Sequence, residues 1–226
     1  MDQPLDDESR VPAHVDAEWV WRVLTIEPGT GIALIRADGF VIYANRTMCE
    51  IWTPTGEETL DMTGRNISEW YGPERTAEML GVIKRVIESD VSIVRRAIFR
   101  GRQIRSTHRA MEAPPGELGR DLVVSHYFTD EISAPGEHPE YEMEDAPYAD
   151  FGPLDVLTRR ELEVLALLGQ GLTVNEVAKL IFRSPKTVEN HRLSIGRKLK
   201  LSDRVQLAKL AFRAGLRVDD AKLKRI

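Results

Sequence analysis

The sequence has a single cysteine, Cys49, among its 226 residues. One cysteine cannot form an internal disulfide or a cysteine zinc cluster, and such scarcity agrees with a reducing compartment. The sequence also lacks any apolar run near the ~18 residues that a membrane-spanning helix needs. Its first residues are acidic, whereas a signal peptide begins with basic and then apolar residues. We therefore predict a cytoplasmic protein without membrane attachment.

Charge is distributed unevenly along the chain. Residues 153–226 contain 16 Lys and Arg against 8 Asp and Glu, whereas residues 1–152 contain 15 and 28. The two parts thus carry formal net charges of +8 and −13, which give the −5 of the whole chain. A basic piece attached to a larger acidic one predicts that only the basic piece binds a polyanion. A solvated basic surface without a partner is the alternative.

A segment rich in carboxylates and prolines, residues 133–152, lies between these two parts. It has no apolar period, which is typical of a linker. We therefore divide the chain into four pieces. They are an N-terminal tail with an amphipathic helix (1–29), a first domain (30–132), an acidic Pro-rich linker (133–152) and a second domain (153–226).

Helix starts in the second domain are marked by two capping boxes, Thr158 with Glu161 and Thr173 with Glu176. Pro185 marks a third start, because a proline at the first helical position loses no hydrogen bond. Apolar residues at helical spacing and glycines after them complete the pattern. These signals predict four helices, over about residues 159–168, 174–180, 185–199 and 203–214.

The third of these helices has two distinct faces. Val188, Ile195 and Leu199 lie at helical spacing and predict a buried stripe. The opposite, exposed face is formed by residues four, three and four positions apart: Lys186, Asn190, Leu193 and Arg197. Cations neutralise phosphates, and an amide can address the edge of adenine. The pattern therefore favours a helix that reads the major groove of DNA.

The second domain resembles the LuxR/FixJ-type helix-turn-helix domain over about residues 153–217. The stretches that carry the resemblance are Leu157-Thr158-Arg159-Arg160-Glu161-Leu162, Asn175-Glu176-Val177-Ala178 and Ser184-Pro185-Lys186-Thr187-Val188-Glu189-Asn190-His191. The resemblance implies an all-α, four-helix domain whose third helix enters the major groove and whose fourth forms a homodimer. The phosphate contacts it implies are Thr173, Asn175, Lys186, Thr187, His191, Arg192 and Lys198. The base-facing residues are Glu189, Asn190 and Leu193, and Arg197 belongs to the same DNA-binding set.

The first domain has an α+β order of two strands, helices and three strands. Ala37-Asp38-Gly39 joins two apolar stretches and predicts a hairpin over about 31–36 and 40–45. A buried helix is predicted over 73–89, and strands over 91–99, 103–111 and 121–130. Residues 31–45, which close on Asn45, resemble the opening of a PAS domain. This resemblance implies a five-stranded antiparallel sheet that cups helices around a sensing pocket, or a domain used only for dimerisation.

The candidate residues of this pocket are Tyr43, Asn45, His108 and His126. Alternation places each histidine on an apolar face of its strand, so that the two could meet across the strand pair. They could ligate haem or a metal, or they could be hydrogen-bonded residues of the sheet. Two histidines without a third ligand make an incomplete metal site, and we predict no metal.

The sequence does not specify a cofactor. Flavin photochemistry is not expected, because the Asn-Cys-Arg-Phe motif of flavin photosensors is absent. The resemblance to PAS domains does not imply haem either, because the predicted helix over 73–89 contains no histidine and so lacks the haem arrangement known in that family.

Taken together, these features predict a homodimeric, sequence-specific transcription regulator whose PAS-like domain senses a signal and controls DNA binding. Its partner would be a palindromic operator in double-stranded DNA. The alternative is a PAS-like module without a small-molecule ligand that receives its input from a partner protein, such as a kinase or RNA polymerase. Because neither a P-loop nor a Gly-x-Gly-x-x-Gly motif is present, we do not expect an enzyme.

Overall fold

The structure is a computed structural model that describes residues 16–53, 58–127, 141–201 and 204–226. The helices are α1 (Ala17–Thr25), α2 (Arg46–Trp52), α3 (Pro73–Ser89), α4 (Arg159–Gly169), α5 (Val174–Leu180), α6 (Pro185–Leu199) and α7 (Arg204–Ala214). The strands are β1 (Thr30–Arg36), β2 (Val41–Ala44), β3 (Ser92–Phe99), β4 (Arg102–Met111), β5 (Arg120–Tyr127), β6 (Tyr141–Ala149) and β7 (Lys224–Arg225). Short 3-10 helices cover Ile67–Glu69, Gly152–Val156 and Val218–Lys222.

The strands form one sheet in the order β2-β1-β5-β4-β3-β6-β7. The five predicted strands lie side by side and pair antiparallel. Their inner face packs on α2 and α3 through a core that includes Met48, Ile83 and Val123. The predicted PAS-like sheet with helices is confirmed. The expected five strands become seven, because β6 and β7 extend the sheet with parallel pairs.

Strand β6 runs through residues that the sequence indicated as a linker. The segment lacks an apolar period, and two of its carboxylates pair with arginines of other elements. Glu144 pairs with Arg85 and lies 3.4 Å from Nε of Arg95 on β3, while Asp145 lies 3.2 Å from Arg217. Charge complementarity thus replaces the hydrophobic pattern by which strands are usually recognised. Residues 133–140 of the predicted linker lie outside the described residues.

The second domain has the helices that its capping signals predicted. Both capping boxes are present, with Thr158 bonded to Glu161 and Thr173 to Glu176. The hydroxyl of Ser184 caps α6 by accepting from the amide of Thr187, and Pro185 is the first residue of the helix. These caps satisfy amide groups that would otherwise lack partners at the helix starts. The predicted start of the fourth helix at Asp203 falls outside the described residues.

The two domains meet on the outer face of the sheet. Arg96 of β3 reaches across to Asp220, which follows α7, and both side chains are about 5% exposed. Ile98 of β3, with Ala149 and Phe151, belongs to the apolar core of the second domain. The described parts of the domains therefore share one interface that combines an ion pair with apolar packing.

Two glycines bring the backbones of the domains into contact at the edge of this interface. Gly101, in the turn between β3 and β4, donates its amide to Asp150 O at 2.9 Å. Gly152, just after β6, has φ of +48° and lies directly on the backbone of Arg100. A left-handed backbone and the lack of room for a Cβ both require glycine here.

Candidate nucleic-acid interface and buried cavity

Helix α6 presents the polar face that its sequence predicted. Val188 and Ile195 are fully buried against the rest of the domain. On the other side Lys186, Asn190 and Arg197 are exposed, and Leu193 is 51% exposed. Two cations, an amide and one apolar side chain therefore point to solvent from a helix that is anchored along its opposite side.

The start of α5 carries two of the residues that are expected to contact phosphate. Thr173 and Asn175 are both exposed. The hydroxyl of Thr173 donates to Glu176 at 2.7 Å, and the hydroxyl of Thr187 lies 2.8 Å from that of Ser184. These two hydroxyls thus have structural partners, whereas the backbone amides at both helix starts add a positive partial charge that favours phosphate.

Three further predicted contact residues take part in ion pairs. Glu189 and Arg192 form a bidentate pair on α6, with N–O distances of 2.6 and 3.0 Å. Lys198 donates to Glu161 at 2.6 Å. His191 is half-buried. The expected DNA contacts of these residues remain predictions, and Glu189 and Lys198 would have to exchange an ion-pair partner to make them.

Glu161 is the centre of a buried network that holds α4 to α6. Its carboxylate accepts hydrogen bonds from the amide of Thr158, the hydroxyl of Ser194 and the ammonium of Lys198. Burial alone would raise the pKa of Glu161, but these hydrogen bonds outweigh it and lower the pKa to about 2. The residue therefore positions α6 in its ionised form.

We expect this network to make the stability of the second domain depend on pH. The pKa of Glu161 lies below its usual 4.5, so its contribution is complete above about pH 4.5 and is lost as the pH falls towards 2. Glu161→Gln should lower the free energy of unfolding by on the order of 3 kcal/mol at pH 7. Urea unfolding of the full chain at pH 7, 4 and 3 should show this difference shrinking as the pH falls. Glu176→Gln, at the same position of the exposed capping box, is the control, and a difference for Glu161→Gln that stays constant would contradict the assignment.

A comparison with known families decides the class of the second domain. The family described as bacterial regulatory proteins of the luxR family matches residues 155–211. The second domain is a LuxR-family helix-turn-helix domain. The match covers α4, α5, α6 and most of α7, so the exposed face of α6 lies on the third helix of the family domain, as the sequence predicted.

Curated relatives of the LuxR-family domain are similar to this chain over that domain. The response regulatory protein YgeK of Escherichia coli is 45% identical over 60 residues, which are 26% of this chain and 41% of YgeK. The transcriptional regulatory protein LiaR of Bacillus subtilis is 44% identical over 61 residues, or 27% of this chain and 29% of LiaR. The chain thus spans less than half the length of these relatives.

Two alignments with solved structures also cover the first domain. A ligand and DNA complex of Vibrio cholera VqmA aligns over 90% of both chains, at 21% identity and a TM-score of 0.46. A PAS domain from Colwellia psychrerythraea aligns over 50% of this chain and 98% of that chain, at 13% identity and a TM-score of 0.39.

In the described part of this chain, no helix is both long and apolar enough to cross a membrane.

A cavity with about 70 Å³ of free space lies between the inner face of the sheet and helix α3. Its lining is mainly apolar and includes Ala33, Met48, Met62, Ile67, Ala97 and Ile104. Its polar lining side chains are His108, Ser106, Arg95, Glu78, Arg75 and Tyr148. Such an apolar site with few polar groups is typical of small-molecule binding.

Most of the polar groups in the cavity are held by a partner. His108 is 2% exposed and its Nδ1 lies 2.7 Å from Asp121, which is fully buried. The hydroxyl of Ser106 lies 2.9 Å from that of Ser125. Arg95 pairs with Glu78 on α3. Because Asp121 occupies Nδ1, the other ring nitrogen of His108 is the one left for a bound molecule.

Of the four residues expected in the pocket, the structure places one, His108, in the lining. Tyr43 packs on Trp21 of α1, with ring centroids 5.5 Å apart. Asn45 caps α2 and binds the backbone of Thr30 and Ile32 on β1. The prediction that Tyr43 and Asn45 line the pocket is therefore wrong. Tyr43 packs against α1, and the side chain of Asn45 is bonded to the backbone at the start of β1.

The expected meeting of His108 and His126 is also wrong. His108 lies opposite Val123 in the sheet, and His126 lies opposite Arg105, so the two rings occupy different faces. Burial lowers the pKa of His126. The residues of β5 on the cavity side are Asp121, Val123 and Ser125, the more polar of its two alternating sets. The sequence pattern favours the apolar set, because nothing local indicates that Asp121 has a buried partner.

Sequence reasoning missed several residues that line the cavity or hold its lining in place. Asp121, Glu78 and Arg95 look like surface charges, because their partners are distant in sequence. Ala146, Tyr148 and Ile226 belong to segments outside the predicted PAS-like domain. Ala146 and Tyr148 lie two positions apart, as residues on one face of a strand do. This spacing is the local signal for a strand beside the cavity.

Proposed function

We propose that the chain is a homodimeric, sequence-specific DNA-binding transcription regulator whose PAS-like domain binds a small molecule and thereby controls DNA binding. The observation that carries the proposal is the exposed face of α6, with Lys186, Asn190 and Arg197, on a LuxR-family domain. The relative LiaR is named a transcriptional regulatory protein, which supports the same role. We further propose a cytoplasmic location and no catalytic activity.

Helix α7 supports the homodimer. Its inner side is buried through Leu207 and Ala211, while Val205 and Phe212 are 56% and 43% exposed. Apolar side chains on the outside of a helix are typical of a surface that a partner covers. A two-fold dimer predicts a palindromic operator with half-sites about one helical turn apart.

The DNA-binding proposal is tested by selecting operators from random duplex DNA and measuring affinity over a range of salt concentrations. Lys186→Ala should weaken binding to all sequences alike and reduce the salt slope by about 1, because Lys186 is expected to contact phosphate. Asn190→Ala should cost about 1–3 kcal/mol and relax preference at one base pair.

Lys84→Ala is the matched control for this experiment, because it removes an exposed cation from α3 in the other domain. It should leave affinity and salt slope unchanged. Equal effects of all three substitutions, or no sequence enriched over the pool, would refute the proposed interface.

Native mass spectrometry of the full chain tests the dimer and the small molecule together. A dimer with extra mass supports a ligand-binding regulator. A dimer at the bare sequence mass, together with capture of a specific partner protein, would favour the module that receives its input from a protein.

A further inference from the structure

Strand β7 and Ile226 connect three parts of the molecule through consecutive residues. Lys224 pairs with Glu74 at the start of α3. Arg225 donates to the carbonyls of Asp155 and Leu157, at 2.6 and 2.7 Å, just before α4 of the LuxR-family domain. Ile226 lines the cavity of the PAS-like domain, and its amide donates to Ala149 O at 3.2 Å. A displacement of Ile226 would therefore act directly on the attachment of the DNA-binding domain.

The cavity is too small for a ring-sized molecule as it stands. A cavity of ~150 Å³ admits benzene, whereas this one has about 70 Å³. Binding of a larger molecule requires part of the wall to move. Ala33, Ile104 and Val123 line the cavity from the central strands of the sheet and are fixed by ladders on both sides. Ile226 is 48% exposed and is held through a two-residue strand, so it is the part of the wall that can move at the least cost.

We propose that Ile226 and Tyr148 complete the ligand site and that Ile226 is its movable wall. A bound molecule pushes Ile226 outward, separates β7 from β6 and releases Arg225 from the LuxR-family domain. This inference rests on the proposed small-molecule function and names the route by which the cavity acts on the DNA-binding domain. A ligand can shift this equilibrium because it binds the open arrangement better than the closed one.

The lining defines the chemical class of the ligand. Apolar side chains cover most of the wall, and Asp121 and Glu78 are already paired with His108 and Arg95. The second ring nitrogen of His108 and the remaining hydrogen-bonding capacity of the Ser106 hydroxyl are the polar groups that β4 offers to a bound molecule. The site therefore suits a small, mainly apolar molecule with one hydrogen-bonding group, larger than the cavity in its closed form.

The proposal is tested without a ligand by filling the cavity from inside. Ala97 lies on β3 and lines the cavity together with Ile226. In Ala97→Phe the new ring occupies the space that a ligand would take. We expect amide exchange of Ile226, whose amide donates to Ala149 O of β6, to be at least tenfold faster when followed by NMR on the full chain, while exchange in β4 and β5 stays unchanged. Ala97→Leu adds a smaller side chain and replaces Ala97→Phe if that variant does not fold. It should accelerate amide exchange at the same place.

The matched control is Ala77→Phe, which adds the same ring at an exposed position of α3. It should not change exchange at Ile226. Adding Ile226→Ala to Ala97→Phe restores room in the wall, so this double variant should return exchange of the amide at position 226 towards that of the single variant Ile226→Ala. Unchanged exchange at Ile226 in the filled variants, or faster exchange spread evenly over the sheet, would overturn the proposal. Because the readout involves no DNA, it fails or succeeds independently of the proposed transcription function.

Discussion

Arg96→Met should destabilise the contact between the two domains by about 3–5 kcal/mol, which is the range for removing one partner of a buried ion pair. The guanidinium meets Asp220 in a bidentate pair with N–O distances of 2.8 and 2.6 Å. It also donates to Gln103 at 2.9 Å and to Gly215 O at 3.2 Å. Methionine fills similar space but leaves the carboxylate of Asp220 buried without its counter-charge. Unfolding in urea and amide exchange at the interface should both report the loss.

The control for this substitution is Arg217→Met. Arg217 pairs with Asp145, and both side chains are more than half exposed, so its loss should cost about 0–1 kcal/mol. The double variant Arg96→Met with Asp220→Asn removes the uncompensated charge and should recover part of the stability. If both arginine variants lost the same stability, the buried pair would not be the main polar contact of the interface.

Gly152→Ala should lower the free energy of unfolding by about 2–4 kcal/mol. An L residue with a left-handed backbone costs about 1–2 kcal/mol, and the Cβ would in addition meet backbone atoms of Arg100 at 2.7 to 3.0 Å. Neither backbone can retreat easily, because Gly101 is bonded to Asp150 on the other side of the contact. Thermal unfolding of the full chain, with exchange of the Gly101 amide, measures the effect.

Gly116→Ala separates the two contributions to this effect. Gly116 also has a left-handed backbone, with φ of +84°, but a Cβ there would meet no atom within 4 Å. It should therefore show the conformational cost alone. A Gly152→Ala variant no less stable than Gly116→Ala would mean that the domains separate at this point without strain.

The sequence predicted best where structure is decided by neighbouring residues. The capping boxes at Thr158 and Thr173 and the Ser184-Pro185 start fixed α4, α5 and α6 to within a residue. The same local signals place Lys186 and Asn190 on an exposed face, because the buried stripe of α6 determines the opposite side. The turn residues Asp38 and Gly39 defined the β1–β2 hairpin for the same reason.

Prediction failed where a residue is explained by a partner that is far away in sequence. Glu144 belongs to a strand because arginines on α3 and β3 bind it. The sequence around Glu144 contains no pattern that indicates these contacts. Asp121 is buried because His108 meets it across the sheet. The face of His126 does not follow from alternation, because both faces of β5 carry apolar residues. These are consequences of register and tertiary charge pairing, and one sequence does not reveal them.

The return of β7 to the sheet also determines the order in which the protein can fold. Arg225 pairs with Ala149, so about 75 residues of the LuxR-family domain are synthesised between two neighbouring strands. Translation adds ~5–20 residues per second, so the edge of β6 stays without β7 for roughly 4–15 s. An open edge strand is a site of aggregation, and charged side chains are a common protection against it. Among the described residues, β7 pairs with Tyr148 and Ala149, so the edge beside Glu142 stays open in the folded chain as well. The exposed carboxylate of Glu142 is a charged side chain of the kind that protects such an edge.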